Sequence, residues 1–134
     1  MANFFLDNQD IQFLFESMDL GAIAQVQELH TENGAADFVP ADEAETVDGY
    51  RRILRIVGDV AAGTIAPNAE SVDRGGNQLN DDGTVTLHPK VHENLLRLKQ
   101  ADLMGFTLPR KYGGINCPNL IYTMAIEIIS RADA

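Results

Sequence analysis

The chain has no tryptophan, a single cysteine, and no lysine or arginine before position 51. Each shortage excludes something. With Cys117 alone, no internal disulfide can form and no cysteine pair can anchor a metal. The Met-Ala-Asn start leads into no basic segment followed by an apolar run, so no secretory signal is expected. No apolar run approaches the ~20 residues that cross a bilayer. A reducing cytoplasm is the expected compartment.

The missing bases leave the charge lopsided. Residues 1–50 hold eleven carboxylates: Asp7, Asp10, Glu16, Asp19, Glu28, Glu32, Asp37, Asp42, Glu43, Glu45 and Asp48. Residues 51–134 hold nine acids against ten bases, which recovers the net charge of −10. Nucleic acid and anionic membranes are poor partners for such an end. It reads as a solvated acidic face, or as a surface that docks on a basic partner.

What is present suffices for a core. In 134 residues, 45% are apolar, a composition that folds as one domain. Asp7 or Asn8 can cap a first helix carrying Ile11, Leu14, Phe15 and Met18. Asp19 can cap a second, with Ile23, Val26 and Leu29 as its stripe and Gly34 as its stop. Gly34 to Glu45, with Pro40, reads as a linker that Phe38 and Val39 pin to the body.

The third helix is the longest. Thr46 or an acid before it caps it, and Val47, Tyr50, Leu54, Val57, Ala61 and Ile65 mark one face. Ile53, Ile56 and Val60 widen that face, so neighbours on two sides are expected. Pro67 lies inside the pattern, and its ring presses on the carbonyl four residues earlier, which predicts a kink near Gly63. Gly75-Gly76 ends the helix. Asp82-Gly83 suits a tight turn between Leu79 and Val85. Pro89 opens a fourth helix, with Val91, Leu95, Leu96 and Leu98, ending near Asp102. Phe106 to Leu108 reads as extended, and Gly113-Gly114 turns the chain. Asn116 is expected to cap a fifth helix, with Pro118 in its first turn. Leu120, Ile121, Met124, Ala125, Ile126, Ile128 and Ile129 make that helix apolar nearly all round, so it is expected to be buried and to run uncapped to Ala134. The fold class is therefore all-α: a bundle-like domain of about five helices, with one short β-hairpin near 78–87. Residues 1–45 are an acidic helical extension and linker, and 46–134 form the main domain.

Few residues offer chemistry. His88 and His92 stand four apart, but only His30 remains as a third imidazole, so no metal site is expected. Cys117 reads as a small buried residue. Gly113-Gly114 lacks the companions of a phosphate loop. Glu127 is the only acid between Pro118 and Ser130. It either pairs with Arg131 one turn on or serves a pocket. No nucleophile, base and orienting group can be assembled.

Three stretches carry a resemblance. They are Gly58-Asp59-Val60-Ala61-Ala62-Gly63-Thr64-Ile65-Ala66-Pro67 with Asp73-Arg74, then Leu103-Met104-Gly105-Phe106-Thr107-Leu108-Pro109-Arg110-Lys111-Tyr112-Gly113-Gly114, then Tyr122 to Ala134. From Ile53 to Ala134 the sequence resembles the N-terminal helical domain of the acyl-CoA dehydrogenases. Its first fifty residues look like the extra helices of a longer bacterial branch. The resemblance implies a parent flavoprotein of fatty acid metabolism that desaturates acyl-CoA thioesters with FAD. Its β-domain and C-terminal helical bundle would bring the flavin site and the catalytic base, and the parent would be a homo-oligomer. It implies no catalytic and no cofactor-binding residue in this chain, no FAD bound to it alone, and no turnover. Tyr122 and Glu127 become neighbours of the acyl-pocket wall. The competing reading is a stand-alone acidic module that grips a basic protein.

Overall fold

A computed structural model describes residues 2–29 and 40–133, with the Leu29 side chain excluded. His30, Gly34, Phe38 and Val39 lie outside the described residues, and so do the expectations attached to them. Helix α1 runs Gln9–Ser17 and α2 runs Leu20–Leu29. Asn8 caps α1 by accepting from the Ile11 N–H at 3.2 Å, and Asp19 caps α2 by accepting from Ala22 at 3.1 Å. Helix α1 buries part of its expected stripe, and α2 buries a neighbouring one. In α1, Ile11 and Phe15 are buried while Leu14 is exposed. In α2, Leu20 and Ala24 are buried and Val26 faces out. Spacing alone could not choose among adjacent apolar stripes. The side that meets the long helix decides.

That long helix is α3, Glu43–Val60, followed without a break by a π turn, Ala61–Ile65, and by α4, Ala66–Gly75. Asp42, not Thr46, is its cap, accepting from the Glu45 N–H at 2.8 Å. The Glu45 carboxylate accepts in return from the Ala41 N–H at 2.7 Å. Thr46 instead donates to the Asp42 carbonyl and is buried. The π turn lies where Pro67 withholds its N–H and crowds the preceding turn. There the Ala66 N–H reaches back five residues to the Ala61 carbonyl. The rod survives its proline and stops at Gly76, whose φ of 62° is left-handed. It packs on α2 along one side and on the last helix along another.

Strands β1, Gln78–Leu79, and β2, Val85–Thr86, pair antiparallel with Leu79 opposite Val85. Helix α5, Pro89–Gln100, follows, capped by His88, whose Nδ1 accepts from the Lys90 N–H at 3.2 Å. None of its residues is buried, so this helix lies on the surface, fastened by an Asn68–Asn94 side-chain bond of 2.7 Å. Helix α6, Asn119–Ser130, closes the core. It stops at Ser130, short of the expected run to Ala134, because Ala132 folds back into the core and its N–H takes the Ile129 carbonyl at 2.9 Å.

One core unites the described residues. Phe5, Ile11, Phe15, Leu20 and Ala24 meet Tyr50, Leu54, Val57, Ile65, Ile121 and Ile128 in a single cluster. The amino-terminal arm is seated with particular closeness. Asn3 is buried, its Oδ1 accepting from the N–H groups of Phe5 and Leu6, both at 2.9 Å. Its Nδ2 donates to the Arg55 carbonyl at 2.9 Å and the Asp59 carboxylate at 2.7 Å. The arm can lie this close because position 58 is glycine. A Cβ there would overlap Asn3 Oδ1 and come within 2.7 Å of the Phe5 nitrogen.

Candidate functional site

The segment between α5 and α6 is a loop folded on itself. Leu103–Gly105 and Arg110–Tyr112 form single 3₁₀ turns. Its limbs are zipped by backbone bonds from Ile115 to Gly105, from Asn116 to Leu108 and from Cys117 to Phe106, at 2.9–3.0 Å. Two glycines make this possible. Gly113 takes a φ of 79°, and Gly114 lies so near that a Cβ would overlap the Leu108 carbonyl oxygen.

This loop and α6 enclose an apolar groove of about 430 Å³. Tyr122, Ala125, Ile126 and Ile129 line it from α6, and Leu103, Met104, Phe106, Thr107 and Leu108 line it from the loop. Val57 of α3 and Leu98 of α5 complete the wall. The Tyr122 and Phe106 rings lie 5.7 Å apart with a 59° tilt. Helix α6 is thus not buried all round. Ile121, Met124, Ala125 and Ile128 are covered, whereas Tyr122 and Ile126 keep 41% and 42% of their surface.

Among the predicted site residues, Tyr122 stands in the groove lining and Glu127 stands outside it, exposed. Glu127 also forms no ion pair with Arg131 among the described residues. His88 serves as a helix cap and His92 is exposed. No group of three or more His, Cys, Asp or Glu suited to a metal occurs among the described residues.

Sequence reasoning missed a polar cluster behind the loop. Arg110 donates twice to Glu28 of α2, at 2.7 and 3.0 Å. The two side chains keep only 13% and 22% of their surface. Asn116, expected as the cap of α6, instead adopts a φ of 60° and turns its buried amide toward α2. Its Nδ2 donates to Glu28 at 3.4 Å and its Oδ1 accepts from Gln27 at 3.1 Å. The cap position of α6 is held by Pro118, which makes no side-chain bond to the helix. The signal was present in α2: Leu20, Ala24 and Glu28 are spaced four apart, so Glu28 prolongs the buried face and needs a cation there.

Tyr50 and Cys117 lie against this cluster. Burial pushes the Cys117 thiol up to about 12; Arg110 pulls it back and Glu28 adds to the rise. Burial likewise drives the Tyr50 phenol well above its ordinary range, with Cys117 and Glu28 adding and Arg110 opposing. The Tyr50 hydroxyl is buried without a hydrogen-bond partner among the described residues. It belongs to the wall of a second cavity, of about 340 Å³, shared with Ile53, Arg110, Gly114 and Ile115.

The groove can hold a flexible apolar chain and little else. Its polar lining is two hydroxyls, Thr107 and Tyr122, with no cation and no carboxylate. The family model of the acyl-CoA dehydrogenase N-terminal domain matches residues 48–134. The chain belongs to this family. Comparisons with curated proteins and with solved structures gave no match. The matched range takes in most of α3, the loop, α6 and every residue of the groove lining. It leaves out α1 and α2, and with them Glu28. An acyl-CoA dehydrogenase domain implies a parent enzyme with further domains and an acyl-CoA substrate. No described helix is long and apolar enough to cross a membrane.

Proposed function

We propose that this chain acts as the N-terminal helical domain of an FAD-dependent acyl-CoA dehydrogenase, in which the α6 groove forms part of the wall around the acyl chain. The observation that carries this reading is the groove itself: open, apolar, about 430 Å³, and built wholly from residues inside the family match. An alkyl chain gains by leaving water for such a lining, at roughly 0.8 kcal/mol per buried methylene. The lining does not fit the flavin. It has no cation and no glycine-rich turn for a pyrophosphate. It also has no base for the α proton, which removal beside a thioester requires. The β-domain and C-terminal bundle of the parent would supply both, and the domain alone would be inactive. Residues 1–45 are the extension and 46–134 the enzyme domain proper. Tyr122 is the wall residue, and Glu127 is a neighbour of it on the outer side. The single buried thiol suits a cytoplasmic home.

The test is methyl NMR on chain labelled at its methionines. Met104 lines the groove and Met124 lies in the core. Decanoyl-CoA at millimolar concentration is expected to shift Met104 and leave Met124 in place, and free CoA to shift neither. A Met104 signal blind to decanoyl-CoA, or equally responsive to free CoA, overturns the acyl-wall reading.

A second reading draws on α1. Phe13 there is 70% exposed, with Asp10 and Glu16 three residues away on either side. An acidic module that grips a basic protein through α1 would form a complex that salt dissolves and that survives loss of α6.

A further inference from the structure

The groove wall is held from behind by a part of the chain that the family match does not include. Glu28, near the end of α2, is the hub. It fixes Arg110 by two charge-assisted bonds and accepts a third from Asn116. Both partners sit on the zipped loop. The Asn116 N–H in turn holds the Leu108 carbonyl at 2.9 Å, and its neighbour Cys117 holds that of Phe106 at 3.0 Å. Leu108 and Phe106 are lining residues. A continuous line of hydrogen bonds thus joins α2 to the floor of the groove.

The amino-terminal arm makes a second attachment. The Phe4 N–H donates to the Gly58 carbonyl at 3.2 Å, next to Val57 of the lining. The arm therefore holds the α3 wall, and α2 holds the loop wall.

We infer that residues 2–29 form a positioning clamp for the groove, with Glu28 as the positioning residue that sets where Phe106 and Leu108 stand. The clamp rests on the acyl-wall reading for its purpose, but its existence does not. Three physical points support it. Asn116 occupies a left-handed backbone that a side chain rarely adopts, and its amide bonds to Gln27 and Glu28 hold it there. Arg110 sits where 87% of its side-chain surface is covered (13% exposed), so losing its carboxylate would leave a charge in partial burial. The loop itself has only turn-length structure and needs outside support.

The clamp predicts an effect that ordinary loss of stability does not produce. Glu28→Ala is expected to raise amide exchange at Ile115, Asn116 and Cys117 by about tenfold or more, while Ile128 in the core keeps its protection. The Met104 methyl is expected to shift and broaden, with Met124 unmoved. Glu28→Gln, which retains one acceptor for the guanidinium, falls between. Glu70→Gln removes the exposed Arg74 pair, outside the clamp, and serves as the control for lost charge, moving neither readout. If wild type answers decanoyl-CoA, Glu28→Ala weakens that affinity several-fold. If wild type does not answer it, the acyl-wall reading fails and exchange alone judges the clamp. Unchanged exchange at residues 115–117 together with an unchanged Met104 methyl in Glu28→Ala overturns the clamp. So does a uniform rise in exchange that includes Ile128.

Discussion

Glu28 and Arg110, 82 positions apart, meet in a two-bond pair that fastens α2 to the loop before α6. Glu16 and Arg51 make a second, weaker joint, with the Arg51 guanidinium 4.6 Å above the Phe15 ring. The acid excess of the first fifty residues is thus partly an internal matter. Glu16, Asp48 and Glu28 each pair with an arginine beyond position 50.

Removing either member of the inner pair is expected to be costly. Glu28→Ala and Arg110→Ala should each lower stability by about 2 kcal/mol, with a coupling of about 1 kcal/mol in the double variant. Urea unfolding of the four proteins measures this. Strict additivity would show that the pair contributes only through separate packing.

Gly114→Ala should destabilise by about 3 kcal/mol, because the new Cβ would strike backbone at Leu108 and the zipped limbs would have to part. Gly49→Ala makes the contrasting case. Beyond the local backbone of α3, no atom of the described residues lies within 4 Å of its would-be Cβ, so the change should stabilise by about 0.5–1 kcal/mol. Thermal melts of the two variants should therefore move in opposite directions.

Pro67→Ala restores an N–H to the long helix and relieves its crowded turn. The π turn should relax toward regular α geometry, with a stability change of no more than about 3 kcal/mol. Amide exchange across 61–67 reports the relaxation. Undisturbed protection at Ala66, still bonded five residues back, would show that proline is not its cause.

Cys117 and Tyr50 hold their protons more tightly folded than unfolded. Above the ordinary thiol value of 9.0 the unfolded chain releases a proton that the native chain keeps. The contribution from the thiol is therefore whole below that value and is lost as pH climbs toward about 12. Urea midpoints taken from pH 8 upward should fall, and Cys117→Ser should flatten the first part of that fall. At pH 8, iodoacetamide should modify the native thiol roughly a hundredfold more slowly than the thiol in urea.

Tyr122, Ile126, Met104 and Leu108 leave apolar surface in the open. Such a flank favours self-association. Sedimentation at rising concentration should show weak dimers that Ile126→Glu abolishes.

The helices were readable because capping and periodicity act locally. Asn8, Asp19, Gly76 and the Asp82-Gly83 turn all stand where short-range chemistry put them. What escaped was decided across distance. Asn116 has the chemistry of a cap, but Gln27 and Glu28, remote in sequence, claim its amide. Leu14 and Val26 are as apolar as their buried neighbours, and only the docking side of α3 sets them apart. The groove was half legible. An unusually apolar α6 announced that it had something to cover, whereas the loop that forms the facing wall is shaped by glycine contacts no periodicity reveals.

The π turn also acts as a phase adjuster. Its five-residue reach inserts one residue beyond what regular winding would use, which swings everything from Ala66 onward by about 100°. That offset is what aims Asn68 at Asn94 on α5. Shortening the rod by one residue at Gly63 would point Asn68 away from its partner and leave α5 held only by its packing on the π turn and the loop.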